Sequence, residues 1–209
     1  MHPNPVFRQA PSQESLAFAR AEGFGTLAVA VEGEVLLSHI PFVVAEDGAS
    51  ARLHLVRSNP IARAGQALGP AGLSAKIAVL GPQGYVSPDW YGAADQVPTW
   101  NYVAVHLEGR LVPLAPDQIR SVVDEMSAFF ETQVPGKTPW TTDKMSARTL
   151  EKLLIQIVPF RFDITAVQGT WKLGQNKTET ARKGAAQALA GSGIGRETEA
   201  LARLMQSLP

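Results

Sequence analysis

The sequence predicts a mainly β protein, a small barrel carrying added helices. Three observations point there: strand-like stretches recur between turn signals from Thr26 onward, strong helical stripes come late, and strands do not alternate with helices as in a βαβ layout. Residues 12–22 read as a short helix, with Ser12 placed to cap its start and Gly23 to stop it. TLAVAV, a Glu32-Gly33 turn and EVLLSHIPFVV then read as a hairpin, and the polar AEDGAS turn leads into a third strand, ARLHLV. After Pro60 a brief helix, IARAGQAL, ends at Gly69, and LSAKIAVLG forms a further strand. Residues 82–98 read as a long Gly, Pro and aromatic loop, followed by the strand TWNYVAVHLEGRLVPL.

Pro116 and Asp117 open the clearest helix, with Ile119, Val122, Val123, Met126, Phe129 and Phe130 along one stripe. A second helix from about Ser146 carries Leu150, Leu153, Leu154 and Ile157 on one face and is expected to halt at Pro159. FRFDITAV alternates as a half-buried strand does: Phe160, Phe162, Ile164 and Ala166 face one way, Arg161, Asp163 and Thr165 the other. From Thr178 two helices flank a GSGIG break. The expectation is one domain over 1–209, with helical insertions at about 116–157 and a helical tail at about 178–208.

Composition removes several function classes. An apolar content of 45% is ordinary for a globular chain and argues against disorder. Nineteen basic residues balance nineteen acidic ones, so no global field draws in nucleic acid or an anionic membrane. The absence of cysteine excludes disulfides, thiolate metal sites and thiol nucleophiles, and fits a reducing, cytoplasmic setting. The start MHPNPVFRQAPSQ is polar and proline-rich where a signal peptide needs an apolar run, and no stretch reaches the roughly 18 apolar residues of a membrane span. Aromatic residues are scarce, yet three of the four Trp and two of the three Tyr fall between Trp90 and Trp140, which directs attention to that segment.

Three constellations carry possible chemistry. The first is GPQGYVSPDWYG with VPTWNYVAVH, where Tyr85, Trp90, Tyr91, Trp100 and Tyr102 supply stacking faces and Ser87, Thr99 and Asn101 supply polar groups for a planar ligand. On a strand, Thr99, Asn101 and Val103 face one way and Trp100, Tyr102, Ala104 and His106 the other, so one face can bury aromatics while the other presents the amide. The same residues also suit an aromatic-rich core beside a proline-stiffened surface loop. The second is LHLVRSNPIARAG, in which Arg57, Ser58, Asn59 and Arg63 surround a helix start that Pro60 begins; this is a physically sound phosphate cradle and equally a common solvated helix start. The third is the basic stretch 169–177 after a strand, where Lys172, Gln175 and Asn176 suit a phosphate, the edge of a planar ring or a plain connector. His39, His54 and His106 each sit singly in strand-like stretches with no metal-ligand spacing, and no GxSxG elbow is present. Gly191, Gly193 and Gly195 imitate a nucleotide motif without the preceding strand it requires.

The ordered series FGTL (24–27), SHIPF (38–42), LHLVRSNP (53–60), GPQGYVSPDWY (81–91), VPTWNYVAVHLEG (97–109) and GTWKLGQNK (169–177) resembles the PaiB-like family of FMN-binding negative transcriptional regulators. The resemblance implies an FMN-binding split β-barrel, like that of pyridoxamine phosphate oxidases, with α-helical C-terminal additions. It also implies a homodimer with the ligand near the interface. By analogy, Arg57, Ser58, Asn59 and Arg63 would hold the FMN phosphate, and His39, Ser87, Trp100, Asn101, Lys172, Gln175 and Asn176 would line the rest of the flavin. Two histidines of the family pattern are replaced here: Gln83 follows Gly81-Pro82, and the LHGHLARANP-like stretch reads LHLVRSNP.

Three functions compete. A flavin protein, an oxidoreductase among the options, borrows its reactivity from the cofactor and needs no protein nucleophile. A regulator would sense a ligand and act on DNA or through a partner, although zero net charge and the lack of a helix-turn-helix weigh against direct DNA binding; the main basic cluster is Lys172, Lys177, Arg182 and Lys183. A haem protein would use His39, His54 or His106 as axial ligand.

Overall fold

The computed structural model describes residues 1–208, and among them the chain forms an eight-stranded antiparallel sheet with six α-helices. The strands are β1 Phe24–Val31, β2 Glu34–Pro41, β3 Val43–Val44, β4 Ser50–Val56, β5 Leu73–Val86, β6 Thr99–Pro113, β7 Ile157–Lys172 and β8 Gly195–Arg196. The helices are α1 Ser12–Glu22, α2 Pro60–Leu68, α3 Ile119–Glu131, α4 Ala147–Leu154, α5 Glu179–Ala190 and α6 Thr198–Ser207. Strand order is β2-β1-β5-β6-β7-β4-β3, with β8 added to β5. The chain divides into two compact units, and β5, β6 and β7 each contribute residues to both.

One unit comprises Ala19–Ala78 and Leu107–Val167. Its hairpin pairs β1 with β2 from Phe24 opposite Pro41 to Val31 opposite Glu34. The two connecting residues, Glu32 and Gly33, both have positive φ (51° and 88°), the pairing that matches the twist of a two-residue hairpin and that glycine adopts without strain. β4 pairs with β7 from Ser50 opposite Asp163 to Val56 opposite Ile157. Alternation along these strands sends Leu27, Leu53, Phe160 and Phe162 into a core with Ile61 of α2, all fully buried. α3 packs on β3 and β4, burying Val122 and Met126 against Val43, and Arg52 of β4 donates to Glu125 of α3 at 2.9 Å.

The other unit comprises Met1–Phe18, Val79–His106 and the described chain from Gln168. Its core joins Val86, Tyr91, Val103, Trp171 and Leu173 to Ala185, Ala186 and Leu189 of α5 and Leu201 and Met205 of α6. Thr178 caps α5 by accepting from the Ala181 amide. At the end of the expected GSGIG break, β8 pairs Gly195 with Gly84 and the following Arg196 with Gln83.

Several element boundaries differ from expectation. β5 runs on through Gly81-Pro82-Gln83-Gly84 to Val86, because tertiary pairing outweighs the weak strand propensity of Gly and Pro. The loop therefore begins at Ser87. The helix expected to halt at Pro159 stops at Leu154, and Ile157 and Pro159 belong to β7. Gly169 to Lys172 likewise finish β7 instead of following it.

β4 also carries a pH-sensitive group. His54 stands opposite Pro159, with Nδ1 buried and without a hydrogen-bond partner among the described residues, and burial pushes its pKa down. A folded pKa below the unfolded value of about 6.5 stabilises the fold fully above that pH; the contribution is lost as pH falls through the depressed folded pKa. Thermal unfolding should therefore show Tm declining from about pH 7 to about 5.5, above the range where carboxylates such as Glu131 titrate. His54→Leu should flatten that step, and an unchanged slope in the variant would assign it to other groups.

Candidate functional site

In the first unit, β4 ends at Val56 and the chain turns through Arg57 and Ser58 into α2. Asn59 caps that helix: its Oδ1 accepts from the Ile61 amide at 2.9 Å while Nδ2 donates to the Ser38 hydroxyl of β2 at 3.1 Å. Both ends of the Asn59 amide are thus engaged in shaping the turn. Arg57 donates from Nε to the Ile155 carbonyl at 2.9 Å and from Nη2 to the Ile157 carbonyl at 3.3 Å, which holds its guanidinium against the α4–β7 connection. Arg63, one turn into α2, is exposed and makes no hydrogen bond or ion pair among the described residues. Val56, Arg57, Ser58, Arg63, Gln66, Ile155 and Gln156 border an open cavity of about 630 Å³ with no carboxylate in its wall. Two guanidinium groups, a hydroxyl and the positive end of a helix dipole therefore converge on a site without a counter-ion.

His39 is exposed on β2, its Nδ1 3.0 Å from the Thr26 hydroxyl across the hairpin. Successive strand residues face opposite ways, so the Ser38 hydroxyl, and not the His39 ring, meets Asn59. Ser38 is the part of this site that sequence reasoning missed; its one signal is its place beside His39 in SHIPF.

In the second unit, Ser87 follows the end of β5 and is half-buried, and its carbonyl accepts from the Trp90 amide at 3.2 Å. Tyr85 meets Trp90 and Trp100 edge to face, each at 6.5 Å between centroids. The faces of β6 are the reverse of those expected for a buried aromatic face and a presented amide. Asn101 is 1% exposed and donates to Met205 Sδ of α6 at 3.4 Å, while Trp100 on the other face is 44% exposed. The cause is the arrival of α5 and α6, which pack on the Val103 side of the strand.

Lys172 Nζ donates to the Thr99 hydroxyl and lies 5.8 Å from the Phe7 ring centroid. Burial, reinforced by the charge of Lys177, pushes its pKa down. Lys177 itself lies 4.9 Å from the Tyr91 ring centroid and donates to Gln96 Oε1 at 2.5 Å. Gln175 is closed on its own loop, accepting from the Leu173 amide at 2.9 Å and donating to the Trp171 carbonyl. Asn176 is exposed, with no side-chain hydrogen bond among the described residues. The eleven sequence-selected residues thus form two sets: His39, Arg57, Ser58, Asn59 and Arg63 in one unit, and Ser87, Trp100, Asn101, Lys172, Gln175 and Asn176 in the other. Among the described residues no cluster of three or more His, Asp or Glu is arranged to hold a metal.

A mainly antiparallel sheet with late helices is the architecture of the split-barrel class. The chain belongs to the family described as "Putative FMN-binding domain", whose model matches residues 1–166, and FMN is that family's cofactor. It is 30% identical over 176 residues to the protease synthase and sporulation protein PAI 2 of Bacillus subtilis, covering 83% of this chain and 82% of that protein. Two solved structures share the fold. The FAD and heme binding protein from Mycobacterium smegmatis has a TM-score of 0.60 at 19% identity, with 80% of this chain and 74% of that one covered. The flavocytochrome Anf3 from Azotobacter vinelandii has a TM-score of 0.55 at 13% identity, with 83% and 73% covered. No helix among the described residues is long and apolar enough to cross a membrane.

Proposed function

We propose that this chain binds FMN, with Arg63, Ser58 and the N-terminal end of α2 receiving the phosphate. The observation that carries the reading is Arg63, a guanidinium without a counter-ion beside a capped helix start, in a chain of an FMN-binding family. When bound, the flavin supplies the hydride or electron transfer. The chain's own residues position it: Asn59 and Ser38 fix the turn, and Arg57 is oriented by two carbonyls before any ligand arrives.

Ligand binding is better supported than direct regulation of DNA. Of the basic cluster in the sequence, Arg182 is 4% exposed and Lys183 pairs with Glu179, which leaves too few free cations for a phosphate-tracking surface. A cytoplasmic flavin oxidoreductase, or a flavin-responsive regulator acting through a partner, both use this pocket. Assembly as a homodimer is supported by one face of the β1–β2 hairpin, where Val35, Leu37 and Phe24 are 69%, 64% and 55% exposed on an edge of the sheet. An apolar patch on a sheet edge is complementary to a second copy of itself.

The test is gel filtration with light scattering after incubation with FMN. The expected result is a dimer mass, co-eluting flavin absorbance and a raised Tm, since a ligand specific for the folded state must stabilise it. Arg63→Ala should weaken FMN by roughly 10- to 100-fold, as loss of a charged hydrogen bond does, with the Tm of the ligand-free protein unchanged. No co-eluting flavin and no Tm shift would overturn the reading; haem would declare itself in the same spectrum by a Soret band.

A further inference from the structure

Beside the open cationic cavity lies a second, smaller one of about 190 Å³ in the same unit, formed where β6 ends, α3 begins and α4 passes into β7. Leu114, Ile119, Leu154, Ile157 and Val158 supply an apolar lining, and Pro113, Pro116 and Pro159 stand in its walls. Three prolines restrict the backbone of those walls, so the cavity is preformed and need not be organised by a ligand. An apolar cavity of about 150 Å³ is enough to take up a benzene ring, so the volume here suits a single ring or a branched chain of similar size.

Its polar groups are few and of one kind. Arg57 and Gln66 are the donors in its wall, and no lining residue is acidic. Arg57 is tethered through Nε and one Nη2 hydrogen to Ile155 and Ile157, which leaves the Nη1 hydrogens and the second Nη2 hydrogen for another acceptor. That end of the guanidinium matches a carboxylate, which accepts two parallel N–H bonds and is small enough to accompany a single ring in a cavity of this volume. A rigid apolar cavity with one oriented cation at its wall is the composition of a small-molecule site.

We propose that this cavity is a binding site for a monocarboxylate with a monocyclic aromatic or branched aliphatic body, the carboxylate on Arg57 and the body among Leu114, Ile119, Leu154, Ile157 and Val158. The site adjoins the cavity of the proposed flavin phosphate, and Arg57, Gln66 and Ile155 border both.

Titration calorimetry on the full chain, with and without added FMN, tests it with benzoate as probe and acetate and benzyl alcohol as controls. Benzoate should bind saturably and at least about tenfold more tightly than either control, because acetate lacks the body and benzyl alcohol the charge. Leu154→Trp, which fills the cavity from α4, should abolish benzoate binding while leaving flavin absorbance and co-elution as in the parent. Arg57→Gln should weaken benzoate about tenfold and leave benzyl alcohol unchanged. Benzoate binding no tighter than acetate, or unaltered by Leu154→Trp in a protein of parental circular dichroism, would overturn the proposal. Flavin is read separately: benzoate binding without flavin would remove the FMN reading alone, and flavin binding without benzoate would remove this one alone.

Discussion

Gly109→Ala is expected to destabilise the protein by on the order of 3 kcal/mol or more, since overpacking against an unyielding neighbour is among the costlier core changes. Gly109 lies buried in β6, and a methyl group there would stand 1.9 Å from the Asp163 carbonyl oxygen and 2.9 Å from its carbon. Both atoms are backbone, so no rotamer relieves the clash; β6 and β7 must part where Asp163 also pairs with Ser50 of β4. For a chain of this size the loss corresponds to a Tm lower by roughly 6–12 °C. Gly191→Ala is the control, because a methyl group there meets nothing within 4 Å. Equal melting temperatures for the two variants would show that the strands separate more easily than their pairing implies.

Trp171→Ala should cost about 3–5 kcal/mol, the range for removing a large buried aromatic. Trp171 is 8% exposed, donates from its indole nitrogen to Ser15 Oγ at 3.2 Å, and meets the Phe18 ring at 5.5 Å and 72°. Truncation opens a cavity and leaves the fully buried Ser15 hydroxyl without that donor. Trp171→Phe keeps most of the volume and should recover part of the loss. Urea unfolding of the ligand-free variants reads the effect directly. If stability were kept and only flavin binding fell, Trp171 would be a ligand contact and not a packing residue.

That variant bears on how much of the site the amino-acid pattern discloses. The hairpin was legible because alternation and the Glu32-Gly33 turn agree, and the helices because capping residues and stripes coincide at Thr178 and around Val122 and Met126. The end of β5 was not, since one of its pairings is with β8, more than a hundred residues later. The capped start of α2 was legible from Asn59 and Pro60, but the engagement of the side chains around it was not. Spacing shows that Arg57, Asn59 and Gln175 are polar; it does not show that each is occupied by a backbone group or a cap, leaving Arg63 and Ser58 open. In β6 a period of two separates Asn101 from Trp100 without saying which face a distant helix will cover.

Asn101 and Met205 are 104 residues apart. During synthesis β6 therefore emerges with its amide uncovered, and the partner that buries it exists only once α6 has been made. The side of the sheet on which Val86, Tyr91 and Val103 pack is thus among the last parts of the fold to close, and until then its apolar residues are open to chaperones and to aggregation. α6 lies beyond residue 166, where the match to the family model ends, so the side chain that meets Asn101 comes from outside the matched span.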